Sequence, residues 1–336
     1  MEHEIPARSP SPPDDPVVRA DGFEPQRPIA AFTVQATRQR FQHKFWKHVL
    51  LFVFTLLSTT LAGACHYEAF VSDFSRVHVT LGLWGFLLNG LWYSGTILAI
   101  LGAHEFGHYY LCRKYNVDAT LPYFLPAPLL TGTLGAVIRI REPFPTRTAL
   151  FDIGVAGPIA GFVVLVPALF LGMMLSNVTP EPPISAGLVS LGEPMLFRLA
   201  ERLVFGALPE GQALNIHPIV FAAWFGMLAT ALNLLPFGQL DGGHISYATI
   251  GRWSTPLSLA TVLFAVAMTF VSTSWMFMTA MMLVMLVLLG PRHPRVIYDY
   301  EPLGPGRKAI AVIAVIMLIV CFTPAPIEPY ELIGSR

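Results

Sequence analysis

The sequence predicts an all-α polytopic membrane protein of about seven transmembrane helices, and three observations carry that expectation. Apolar residues make up 54% of the 336-residue chain and charged residues only 12%, a balance that fits a helical membrane bundle better than two soluble domains. Seven apolar runs are long enough to be read as crossings. The basic residues gather between those runs in three clusters that fall on one side of the membrane if the crossings alternate. A formal net charge of zero leaves no basic field for nucleic acid. Cys65, Cys112 and Cys321 are too scattered for a disulfide framework or a thiolate metal site and read as packing residues.

The elements follow in order. Residues 1–44 carry Pro6, Pro10, Pro12, Pro13, Pro16, Pro25 and Pro28 without an apolar run, so a disordered cytoplasmic tail is expected, with no secretory or transit signal. A membrane domain is expected over 45–323 and a short tail over 324–336. The crossings lie near His48 to Cys65, Leu81 to Leu111, Phe151 to Ser176, Pro218 to Leu235, Pro256 to Val271, Trp275 to Leu289 and Ala309 to Thr323. Arg38, Arg40, Lys44 and Lys47 precede the first, Arg113, Lys114, Arg139, Arg141 and Arg147 follow the second, and Arg292, Arg295, Arg307 and Lys308 separate the last two. The positive-inside rule then puts the N-terminus in the cytoplasm.

Smaller features fill the connections. Gly95, Ala99, Ala103 and Gly107 form a row of small residues at i, i+4 spacing, and Gly157 with Gly161 forms another; both are expected to pack the second crossing on the third. Gly132 to Ile140 reads as β-forming sequence too short to cross, and a re-entrant β-hairpin is expected rather than a plain surface loop. Its edge would take an extended substrate strand, making Gly135 and Val137 candidate substrate-binding residues. On the opposite face, Leu196, Leu199, Leu203 and Val204 recur at helical spacing and predict an interfacial helix. Asp152 reads as the N-cap of the third crossing, the methionines between 268 and 285 as packing or lipid-facing residues, and Asn177-Val178-Thr179 as a sequon without meaning in a bacterium.

The chemistry begins at His104-Glu105-Phe106-Gly107-His108, an HExxH sequence inside the second crossing. At about 100° per residue the two histidines lie roughly 40° apart on one helix face, with Glu105 within about 60° of His108. Two imidazoles can share one Zn²⁺ while the carboxylate reaches a water that the ion activates. Each ionised group at the centre of a crossing costs roughly 2.5 to 3.5 kcal/mol, so a polar cluster here needs compensation that a metal supplies directly. His104 and His108 precede Arg113 by nine and five residues, which puts them roughly 8 to 14 Å below the cytoplasmic end. Asn233 to His244 interrupts the fourth crossing with proline and glycines, tolerable only where protein or a wet cavity satisfies the backbone. Asp241, within that interruption, is the natural third ligand and leaves a fourth position open.

An HExxH helix followed by Asn233-Leu234-Leu235-Pro236-Phe237-Gly238-Gln239-Leu240-Asp241-Gly242-Gly243 resembles the site-2 protease family of intramembrane zinc metalloproteases, peptidase family M50. Gly132 to Ile140 and Ala156-Gly157-Pro158-Ile159-Ala160-Gly161 also look like its bacterial and plastid members. The resemblance covers about 81–251 and implies a three-helix catalytic core made of the second, third and fourth crossings. It further implies one catalytic Zn²⁺ on His104, His108 and Asp241, Glu105 as the activator of water, and Asn233 as a contact to substrate or oxyanion. Asn233 could equally serve the broken helix. His244 reads as a support for the site or as a hydrogen-bonded boundary residue. The implied activity is cleavage of a single-span membrane protein in the bilayer near the cytoplasmic leaflet, in regulated intramembrane proteolysis, with an upstream site-1-type protease as a partner and the bacterial inner membrane as the location. A PDZ domain found in some members does not fit in the forty or so residues from Asn177 to His217. The rival class is a non-proteolytic transporter or metal-handling membrane protein, which predicts inverted repeats that the halves do not display; a protease acting on prenylated tails would not carry the NPFGQLDGG-like sequence.

Overall fold

The computed structural model describes residues 44–128, 130–182, 189–290, 296–299 and 302–329. The predicted N-terminal tail therefore falls outside the described residues except for Lys44, as do Arg292 and Arg295 and most of the predicted C-terminal tail. The fold is mostly helical. Three long helices, α1 (Phe45–Val71), α2 (Leu83–Lys114) and α3 (Arg147–Met174), pack side by side, and a short helix, α4 (Met195–Phe205), follows. Then come α5 (Pro218–Leu234), α6 (Asp241–Ile250), α7 (Ser254–Met268), α8 (Ser274–Leu289) and α9 (Pro305–Cys321).

Among the described residues, four stretches are long and apolar enough to cross a membrane: α1, α2, α3 and Asp241–Met268. The fourth is bent. Gly251 takes a left-handed φ of +57° between α6 and α7, and Ser258 and Thr261 of α7 reach back to Gly238 and Pro236, level with the start of α6. The remaining predicted runs coincide with α5, α8 and α9, which at 17, 16 and 17 residues are shorter.

The helix starts have local causes. Thr146 caps α3 by accepting from the Ala149 amide at 3.1 Å. This corrects the reading of Asp152, which lies inside α3 and accepts two 2.8 Å bonds from Arg307 of α9 and one from the Tyr115 hydroxyl. Burial and the Asp152 carboxylate push the Tyr115 phenol above its ordinary pKa, so it stays a donor. Burial of an ionised carboxylate is thus offset by a bidentate cation rather than by a helix end.

Where a hairpin was expected the chain forms an antiparallel pair, β1 (Tyr123–Pro126) with β2 (Thr133–Val137). It lies along α1. His48 contacts the Pro122 carbonyl and stacks on Tyr123, Ser58 donates to the Gly132 carbonyl, and His66 meets the Leu130 carbonyl at the tip. Those contacts span 18 residues of α1, about 27 Å of helix. Gly132, at φ +70°, fits where any Cβ would come within 2.6 Å of the α1 backbone at Thr59.

Two findings depart from the sequence reading. The connection between α3 and α5 is not helical alone: β3 (Asn177–Pro180) pairs with β5 (Gln212–Asn215), and β4 (Val189–Leu191) pairs with β6 (Ile327–Pro329), flanking the expected α4. The small-residue row also holds only in part. Gly107 abuts Ala156 of α3 so closely that a Cβ would sit 2.6 Å from its carbonyl oxygen, whereas Ala99 is exposed and a Cβ on Gly95 would meet nothing. The tight approach elsewhere on α2 is Gly90 against Gly63 of α1.

Candidate metal centre

Three elements meet at one point inside the helical packing. α2 brings His104, Glu105 and His108, all buried at 6–8% exposure. α5 ends at Leu234, and the turn through Gly238, at φ +50°, restarts the chain as α6 with Asp241 in its first turn. Gly242 and Gly243 permit that tight restart, since a Cβ on either would overlap the carbonyls of Leu234 or of Phe237 and Gly238. α3 closes the third side.

The donor atoms converge. His104 Nε2 and His108 Nε2 are 3.0 Å apart, and Asp241 places one carboxylate oxygen 3.1 Å from the first and the other 3.3 Å from the second. One ligand atom from each of the three falls within 4.8 Å of the others. The His108 Nδ1 lies 2.7 Å from the Ile153 carbonyl, which accepts its proton and leaves Nε2 as a bare lone pair turned toward the cluster. Lone pairs crowded this closely repel unless a cation or a proton lies among them, so the donor set fits a divalent metal that takes nitrogen and oxygen ligands. Glycine also shapes the place: a Cβ on Gly157 of α3 would run into the His108 imidazole, and one on Gly161 would sit 3.2 Å from His104 Cβ.

A cavity of about 220 Å³ opens beside the cluster. Its lining joins the three ligand candidates and Glu105 to Asn233, Gln239 and His244 on one side and to Ala136, Val137 and Ile138 on the other. Asn233, in the last turn of α5, brings its amide nitrogen within 3.5 Å of His104 Nε2. The His244 ring packs edge-on against Phe144 at 5.4 Å. Ile138, just past β2, lines the cavity together with Glu105.

The structure therefore gathers His104, Glu105, His108, Asp241, Asn233 and Val137 at one cavity. Gly135 is not in its lining; it sits at a bulge of β2, with φ +104° and open space where a Cβ would be. The sequence reading passed over Gln239, the Ile153 carbonyl and the room that Gly157 makes for a ring. Gln239 lay in the motif and could have been named; the other two depend on which turn of α3 faces α2.

The model of peptidase family M50 matches residues 92–277, more than half of the chain. A probable chloroplastic zinc metalloprotease of rice, EGY2 of Oryza sativa subsp. indica, is 32% identical over 259 residues, 73% of this chain and 45% of that protein. Probable zinc metalloprotease EGY1, chloroplastic, of Arabidopsis thaliana is 32% identical over 260 residues, 71% of this chain and 43% of its own length. EGY3 of Oryza sativa subsp. indica, also a probable chloroplastic zinc metalloprotease, is 30% identical over 240 residues, 67% and 40% respectively. The chain spans a little under half the length of these curated relatives, and no solved structure matches it. Since the matched residues hold the helix of His104 and His108 together with the turn of Asp241, the chain belongs to peptidase family M50.

Proposed function

We propose that the protein is a zinc metalloendopeptidase that cuts a single-span membrane protein within the bilayer, near its cytoplasmic side, by regulated intramembrane proteolysis. One observation carries the reading: two imidazoles of α2 and a carboxylate of α6 converge within 4.8 Å beside a buried glutamate. His104, His108 and Asp241 hold the ion. When bound, zinc supplies an electrophile that polarises the scissile carbonyl and acidifies water. The Ile153 carbonyl fixes the His108 tautomer, and Glu105 takes a proton from the attacking water and hands it to the departing amine. Asn233 contacts the substrate carbonyl, and the edge of β2 holds the substrate extended, because a helical peptide hides its carbonyls in hydrogen bonds.

We further read the chain as crossing seven times, with α5 and α6 forming one crossing interrupted at the metal centre. The latches support this. Arg307 at the start of α9 binds Asp152 near the start of α3 and beside Tyr115 at the end of α2, while the end of α9 meets the start of α8 through Trp275 and the Pro324 carbonyl. Arg113, Lys114, Arg147, Arg307 and Lys308 then share one face, the cytoplasmic one by their charge, and the hairpin enters the membrane from it beside α1. Names of the relatives refer to chloroplasts; a bacterial inner membrane rests on the sequence resemblance alone. An upstream protease acting on the outer face remains part of the proposal.

The test is purified protein in detergent with single-span substrates, with and without a chelator. Glu105→Gln keeps the shape and loses the base, so cleavage should fall by about 10²-fold or more at unchanged zinc content. Normal cleavage by zinc-loaded Glu105→Gln protein would overturn the reading.

A further inference from the structure

Helix α3 carries a weak point at the turn that faces the metal centre. The carbonyl that orients His108 belongs to Ile153, and the next residue, Gly154, lies against His244, where a Cβ would come within 2.9 Å of the His244 Cβ. Pro158 sits four residues beyond Gly154 inside the helix, so the Gly154 carbonyl lacks its amide donor and meets the proline ring instead. The first turns of α3, from Arg147 to Gly157, are thereby joined loosely to the rest of the helix. Something outside α3 must fix where the Ile153 carbonyl points.

Asp152 supplies that hold. It immediately precedes Ile153, and its carboxylate takes three donors: Arg307 Nε at 2.8 Å on one oxygen, Arg307 Nη2 at 2.8 Å on the other, and the Tyr115 hydroxyl on that second oxygen. Tyr115 is the C-cap of α2, the helix that brings His104 and His108. One carboxylate therefore joins α2, α3 and α9 next to the carbonyl that accepts from His108. A two-pronged guanidinium fixes direction as well as distance. Arg307 is itself braced, because Ala314 and Met317 of α9 pack in one apolar cluster with Leu150, Phe151 and Val155 of α3. A neighbouring ion pair has no such reach. Arg147 pairs with Asp299, and Asp299 accepts the Tyr247 hydroxyl at 3.0 Å, which ties the start of α3 to α6 more than a helical turn before Asp152.

We propose that Arg307 is a positioning residue for the metal centre: through the Asp152 carboxylate it fixes the turn of α3 whose Ile153 carbonyl holds the His108 ring. The proposal rests on the reading of His108 as a metal ligand. Arg307 lies beyond residues 92–277 matched by the family model, so a ligand inside the match is oriented by a helix outside it. Without the guanidinium the partly buried carboxylate loses two of its three donors and turns toward solvent. The turn of α3 follows it, and His108 then exchanges between two tautomers, of which one presents a bare Nε2 to an ion.

The purified full chain in detergent tests this, with zinc alone as the probe. Arg307→Gln should raise the zinc dissociation constant about 3- to 10-fold, less than the loss of a direct partner of a ligand would. In the zinc-free protein, ¹⁵N-labelled histidine rings should show His108, assigned by its loss in His108→Asn, protonated on Nδ1 in the native sequence and divided between tautomers in Arg307→Gln. Asp299→Asn removes the neighbouring pair and should leave the His108 ring spectrum as it is. If circular dichroism shows that Arg307→Gln does not fold, Tyr115→Phe removes one donor without changing charge and should weaken zinc binding about 2- to 3-fold. Native zinc affinity with an unshifted His108 ring in Arg307→Gln, or in Tyr115→Phe where the first does not fold, overturns the proposal, and so does an equal change of the ring in Asp299→Asn. Failure of the native protein to bind zinc would sink the ligand assignment by itself, and the ring spectra of the zinc-free proteins would still decide the role of Arg307.

Discussion

α2 touches α1 and α3 by the same device and for different ends. On the α1 side, Gly90 and Gly63 let the backbones meet, the Thr59 and Ser94 hydroxyls lie 2.7 Å apart, and Tyr93 donates to the Thr131 carbonyl. Nothing there bears lone pairs toward a metal; the contact is packing, and the buried Thr60 hydroxyl at the crossing has no hydrogen-bond partner among the described residues. On the α3 side, Gly107 and Gly157 make an equally close crossing, and the room vacated by the Gly157 side chain is filled by the imidazole of His108. A small residue between helices is therefore not one kind of thing. Its role follows from what stands opposite it.

The largest break in this comparison should come from Gly157→Ala. The added methyl overlaps the His108 ring, which must rotate away from the Ile153 carbonyl and lose its orientation. Zinc affinity should fall by about 10- to 100-fold while circular dichroism still reports a folded helical protein. Unchanged zinc affinity would make the two crossings equivalent. Gly90→Ala comes next. Here a Cβ meets the α1 backbone at Thr60 and Ala64, an overpacking of about 1 to 3 kcal/mol that should lower the melting temperature in detergent. The molecules that remain folded should bind zinc in full, and their failure to do so would dissolve the distinction.

The smallest effect belongs to a site with neither duty. His217 caps α5 at its start, its Nδ1 accepting from the Ile219 amide at 3.3 Å, and burial lowers its pKa to about 4. A folded-state pKa below the ordinary value near 6.5 means that folding opposes protonation. The contribution is complete above pH 6.5 and is lost as pH falls toward 4, so melting temperature should decline across that window. His217→Asn, a cap that does not titrate, should flatten the decline without altering zinc content; an unchanged pH dependence would show that other groups set it.

What could be read from the sequence was what is local or chemically unusual. His104, Glu105 and His108 sit within one turn, and the glycines after Leu235 mark the break that carries Asp241. The strand-forming run from Gly132 to Ile140 was visible for the same reason. Asp152 was misread because its partner Arg307 lies 155 residues away, and nothing near Asp152 distinguishes a cap from an ion-pair acceptor. Gly95 and Ala99 misled because spacing at i, i+4 defines a helix face without saying whether protein or lipid covers it. The strands between α3 and α5 are three or four residues long, below the length at which alternation becomes a pattern.

The family match begins at Trp92 and so leaves out α1, although α1 carries the hairpin from His48 to His66. That omission bears on the order in which the chain is made. α1 leaves the ribosome about fifty residues ahead of β1, so when Tyr123 to Val137 emerge their bed is already in place, with the Ser58 hydroxyl waiting for the Gly132 carbonyl. A polypeptide started at Leu83 would keep every proposed ligand, yet its hairpin would lose the bed that α1 provides and keep only its contacts with α2, such as Tyr93 on the Thr131 carbonyl. Supplying α1 as a separate chain would then act as a template, and recovery of cleavage would measure how much of the assembly is guided by the helix that the family pattern does not include.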